Sequence, residues 1–141
     1  MALNHPPLGP NATFAYQASG IPYVSSSAND VVPANNVDPL TPYKHEFPFV
    51  TRFFQVEDLN NQGLRVGFSA SGSMGINYFT VAGNAKSEVY ELRTKDLFFV
   101  SNTTSTTGVR IIAGLTTISR DHFPTLTGSL ADGTAAYQGI G

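Results

Sequence analysis

The chain has 141 residues, enough for one domain with a proper core. Only 13% of them are charged, about half the usual share, and the balance is −2 with a pI near 5.8. No basic cluster exists to neutralise several phosphates, which argues against nucleic-acid binding. No apolar run approaches the roughly 20 residues that cross a bilayer, so no membrane span is expected. The start, Met1 to Pro6, lacks the basic and apolar pattern of a signal peptide. With no cysteine, disulfides and thiolate-bound metals are excluded. Ser, Thr, Asn and 13 glycines stand in for the missing charge, a composition suited to a surface packed against neighbours.

Residues 1 to 44 read as an extended, proline-rich N-terminal arm. Eight of the nine prolines fall within the first 48 positions, and only Asp30, Asp38 and Lys44 carry charge up to position 44. Proline fixes φ and removes a donor, which excludes a long helix or a central strand. The arm nevertheless holds aromatic and aliphatic residues that disordered tails lack. Phe14, Tyr16, Ile21, Tyr23, Val31 and Val32 are its candidate anchors, docking into grooves of its own sandwich or of a neighbouring subunit.

From residue 45 to 118 the apolar residues alternate at strand spacing. The first predicted strand is Phe49–Val56, and the turn Glu57–Gly63 leads to Leu64–Phe68. There Leu64, Val66 and Phe68 share one face and Arg65, Gly67 and Ser69 the other. Ser69–Gly75 reads as a loop, Ile76–Val81 as a third strand, and Glu88–Thr94 as a fourth. Leu97–Val100 is apolar on both faces, as a strand covered on both sides would be. A polar tip, Ser101–Gly108, precedes the last strand, Val109–Ile118. The expected core is Leu64, Val66, Phe68, Phe79, Leu92, Leu97, Phe99, Ile111 and Leu115. Residues 119 to 141 form a tail that packs on the sandwich or on a neighbour. Strands recurring every 10 to 15 residues, with no helical spacing between them, define an all-β fold. That fold is an antiparallel β-sandwich or single jelly roll.

No motif in the chain carries catalysis, and neither a cofactor nor a metal is expected. His45-Glu46 and Asp121-His122 flank the block and would have to meet to hold a metal, but they lack the repeated spacing of metal ligands. Gly67-Phe68-Ser69-Ala70-Ser71 begins like a nucleophile elbow and lacks its closing glycine. Glu57, Asp58, Glu88, Glu91 and Asp96 are the carboxylates available for a glycosidase pair. No tryptophan accompanies them as a sugar platform.

Three runs carry a resemblance: Phe47-Pro48-Phe49-Val50-Thr51-Arg52-Phe53-Phe54, Asn77-Tyr78-Phe79-Thr80-Val81, and Glu91 to Val100. Together with Leu64–Ser69 and the closing Ile111–Thr116, their layout resembles small virion structural proteins. These are the single-sandwich penton, minor capsid or decoration proteins of icosahedral double-stranded DNA viruses. The resemblance covers roughly residues 46 to 128 and is one of layout, so it carries over no binding residue. It implies a non-enzymatic structural protein of the virion whose partners are other capsid subunits and copies of itself, as a homo-oligomer in the particle. The alternative is a receptor- or glycan-binding module of a viral tail or fibre, reading its ligand through the loops Ser69–Gly75 and Ser101–Gly108. On the first reading the arm serves assembly alone, and a chain starting near Tyr43 should still fold.

Overall fold

The computed structural model describes residues 20–126 and residue 140. Among these, seven strands form two antiparallel sheets: β1 (Ile21–Ser26), β2 (Tyr43–Glu46), β3 (Phe49–Asp58), β4 (Leu64–Gly67), β5 (Tyr78–Val81), β6 (Asp96–Ser101) and β7 (Val109–Ser119). One short helix, α1 (Ala70–Met74), and a 3-10 turn at Arg120–His122 complete them. The sheets run β1-β7-β3 and β2-β6-β4-β5 and face one another as a β-sandwich.

Register decides which side chains meet between the sheets, because paired residues project to the same face. In the four-stranded sheet Val66 lies opposite Phe79 and Phe99, Leu64 opposite Val81, and His45 opposite Leu97. In the three-stranded sheet Ala113 lies between Tyr23 and Phe54, and Ile111 between Ser25 and Val56. These residues build one core in which Phe54, Val56, Leu64, Val66, Leu97 and Phe99 are fully buried. Six of the nine expected core residues lie fully inside it. Phe68 and Phe79 are half-buried against it.

Leu92 does not belong to the core: it is 45% exposed. The reason lies in the segment expected to be the strand Glu88–Thr94, which forms no regular strand. It meets β3 at the isolated pair Phe54–Tyr90 and at the Thr51 N–H bond to the Thr94 carbonyl, with the pair Glu57–Lys86 just before it. Four residue steps from Lys86 to Tyr90 answer three from Glu57 to Phe54, so the pairing there is irregular. β3 itself shifts register between Phe49 and Phe53. Side chains add to the backbone bonds. The Thr51 hydroxyl donates to the Leu92 carbonyl (2.8 Å), and the Gln55 amide donates to the Ser87 carbonyl (2.8 Å).

The arm boundary also moves. Residues 21–26, expected to lie outside the sandwich, are β1, paired with β7 along their whole length. Val32 exchanges backbone hydrogen bonds with Thr107 and is fully buried. Residues 43 and 44 open β2. Proline bars a central strand, but β1 is an edge strand, where one side needs no donor and Pro22 is tolerated. The sandwich therefore includes residues from Ile21 on. The expected loop Ser69–Gly75 is instead α1, started by Ser69, whose hydroxyl accepts from the Gly72 N–H at 2.9 Å.

Candidate interaction surfaces

Of the six candidate anchors, Val32 is part of the protein's own core and is not available to a neighbour. Tyr23 packs against that core, its ring edge-on to Phe47 and its hydroxyl 2.8 Å from His45 Nε2. Val31 is half-buried, while Ile21 remains 43% exposed at the sheet edge. Phe14 and Tyr16 lie outside the described residues.

The two sheets treat their outer faces differently. On the three-stranded sheet, Val24 and Ile112 are paired neighbours, 66% and 39% exposed. Phe53 lies beside them on the same face, its ring over Gly114, where any Cβ would collide with it. Phe49, at the start of β3, is 38% exposed. Gln55 is paired with Ile112 on this face, and at one end Arg110 pairs with Glu57 (3.3 Å) and donates to the Ser26 hydroxyl. Sequence alternation contains this face. Arg110 points outward, so Ile112, two residues on, does too, and of the adjacent Phe53 and Phe54 only one can point inward.

On the four-stranded sheet the outer face is covered over β4 and β6. α1 packs across β4 and β6, so close over Gly67 that a Cβ there would meet Ser73. Val100, on this face, is fully buried. Arg120 closes the far end: it donates to the Phe47 and Lys95 carbonyls (2.6 and 3.1 Å) and pairs with Asp96 at 2.8 Å. Lys95 Nζ reaches the Phe123 carbonyl at 3.1 Å. Beyond it, Thr125 and Leu126 border a cavity of about 40 Å³ beside Lys44, Asp96 and Phe98. A separate cleft of about 320 Å³ opens at the β5 edge among Val66, Phe68, Ile76, Asn77, Tyr78 and Phe79, and Ile76 on its rim is 89% exposed.

The groups weighed for chemistry are engaged in structure. His45 and Glu46 are neighbours on β2 and point to opposite faces. His45 is buried between the sheets, edge-on to Phe47 and Tyr23, whereas Glu46 joins Lys44 and Arg120 outside. Burial pushes the His45 imidazole below its ordinary range, against the opposing pull of Asp96 and Glu46. Burial raises the Tyr43 phenol, with Tyr23 adding to the shift. His122 is exposed on the 3-10 turn, so the two histidines are not brought together. Among the described residues no group of three His, Asp or Glu side chains could hold a metal ion. Ser69 Oγ, besides capping α1, donates to the Ile140 carbonyl at 2.7 Å.

Asp58 is the most heavily bonded carboxylate. One oxygen accepts from the N–H groups of Gln62, Gly63 and Asn84, and the other from the Thr107 hydroxyl. Burial raises its pKa, but the four donors together outweigh burial and hold the carboxyl below its ordinary range. It thereby ties the turn after β3, the turn after β5 and the start of β7 into one knot.

No protein-family model, curated protein or solved structure matches the chain.

Proposed function

We propose that this chain is a non-enzymatic structural subunit of a virus particle, a penton, minor capsid or decoration protein. It acts in the virion by packing against copies of itself and other shell subunits. The observation that carries the reading is the outer face of the β1-β7-β3 sheet, where, among the described residues, Val24 and Ile112 stand exposed beside Phe53. An apolar face of this kind, rimmed by polar groups, marks a contact surface. Such a face, repeated over many subunits, suits an assembly held by many repeated contacts.

The same reading takes the sandwich as a single jelly roll. In its support, the paired segments nest: β1 with β7, β2 with β6, β3 with residues 86–90, and β4 with β5. Rolling such a ribbon of nested pairs sets β7 beside β3 and β6 beside β4, which are the two remaining pairings. The loops that a receptor-binding module would use are partly committed internally. Ser69 and Gly72 hold α1 and Ile140, and Thr103 bonds Gln62 and Asn35.

The test is the double substitution Val24→Asp with Ile112→Asp in the full chain, followed by particle incorporation and copy number. The expected result is incorporation reduced about tenfold or more, the effect of two charges desolvated without partners at a contact, with an unchanged melting temperature. Normal incorporation of a folded variant at full copy number would overturn the reading.

A further inference from the structure

We infer that His45 is a pH-sensitive latch: its neutral imidazole fastens the edge strand β1 to β2 across the two sheets, and its protonation in mild acid lets β1 lift away from the sandwich. The latch is distinct from the contact surface proposed above and does not depend on it.

Placement and bonding carry it. Among the described strands β1 ends one sheet and β2 ends the other. Tyr23 on β1 and His45 on β2 bridge them, with the phenol oxygen 2.8 Å from His45 Nε2. The other ring nitrogen, Nδ1, faces the Tyr43 hydroxyl at 3.5 Å. A neutral imidazole has one acceptor and one donor nitrogen, so it can take a proton from one phenol while pointing its own N–H at the other. The imidazolium has two donors and no acceptor, and the phenol that donated is left without a partner for its proton. β1 is hydrogen-bonded to β7, and the Tyr23 side chain joins it to the opposite sheet through His45 and Phe47. Loosening that one bridge therefore acts on β1 locally, as sub-global opening of an edge does.

Charge sets the direction. His45 is 7% exposed, among the rings of Tyr23, Tyr43 and Phe47 and opposite Leu97. An imidazolium there gives up its hydration. Tyr23 is the titratable group that β1 brings to it. Around it lie Tyr43, Lys44 and Glu46 on β2, Asp96 on β6 and Arg120 on the 3-10 turn. The charges among these pair with one another, Asp96 with Arg120 at 2.8 Å and Glu46 with Lys44 at 3.4 Å. Burial lowers the His45 pKa below 6.5, against the weaker pull of Asp96 and Glu46. Opening β1 returns the ring to water, where it takes a proton more readily. Falling pH below 6.5 thus favours the open form, and rising pH recloses it.

The test is amide hydrogen exchange on the full chain between about pH 7.5 and 5, a range that brackets ordinary imidazole titration. Rates are corrected for the intrinsic pH dependence of exchange, and the His45 ring is followed by NMR in parallel. Residues 21–26 are expected to lose protection, by at most about tenfold per pH unit, the limit for uptake of one proton. Residues 64–67 of β4 should keep theirs, and the loss at β1 should follow the protonation of His45. In His45→Gln, which stays neutral, protection of residues 21–26 should not change with pH. If that variant does not fold by circular dichroism, the comparison of exchange with ring titration in the unaltered chain decides the matter. Three results would overturn the inference. They are constant protection of residues 21–26 while His45 titrates, a loss shared equally by residues 64–67, and a loss that persists in folded His45→Gln.

Discussion

The two outer faces of the sandwich belong to sheets of similar alternation, yet among the described residues one is covered over its central strands and the other leaves apolar side chains exposed. Val100 and Ile112 illustrate the contrast. Both are β-branched residues, in β6 and β7, and both point away from the shared core. Val100 lies on the sheet that α1 crosses and is fully buried, whereas Ile112 lies on the uncovered sheet and is 39% exposed. An outward apolar residue therefore takes its environment from what the chain lays over it. Alternation assigns the face and leaves its covering open.

The comparison is tested most severely at β1. Without residues 20–42 the outer face would lose Val24 and β7 would become an open edge, while the core would lose Tyr23 and Val32. A chain starting at Gly20 is expected to fold cooperatively, and one starting at Tyr43 is expected to show no cooperative thermal transition. A cooperative transition in the shorter chain would mean that β1 is an accessory to the sandwich. The next effect in size separates the faces directly. Val100→Asp should cost about 3 kcal/mol or more, as an unpartnered buried charge does. Ile112→Asp should stay within about 0.5 kcal/mol, as an exposed substitution does. Equal losses in denaturant titration would erase the distinction between the faces.

The smallest effect is that of pH, and it reports the core between the faces. His45 has a lowered pKa when folded, so it contributes fully above 6.5, and that contribution falls as the pH drops below this value. Asp58 is also lowered. Its contribution is complete above 3.8 and is lost as the pH falls through the folded value. Melting temperature should therefore decline in two steps on acidification. His45→Phe is expected to abolish the upper step and Asp58→Asn the lower one. A single step unaffected by His45→Phe would assign the upper titration to another group.

Much of the sandwich was legible from short-range pattern. Leu64 with Val66, Leu97 with Phe99 and Ile111 with Leu115 repeat at period two, and each pair is buried on one face. The same rule contained the bare face, through the outward phase of Arg110 and Ile112, although the anchors were sought in the proline-rich segment. Two features misled that reading. Pro22 within Ile21–Ser26 argued against a strand, because its edge position depends on β7, some ninety residues later. Glu88–Thr94 has strand composition, but the one-residue mismatch with β3 leaves Leu92 in solvent.

By itself the sequence determined the two-sided strands, their inward residues and the scarcity of charge, because these follow from neighbours two residues apart on one chain. The tertiary structure alone decided that residues 21–26 close a sheet and that α1 lies over β4 and β6. It also decided that Ile140 returns to Ser69, and that Val24 and Ile112 are left uncovered. Each of these joins segments tens of residues apart, and no local propensity specifies which distant surface a segment will cover.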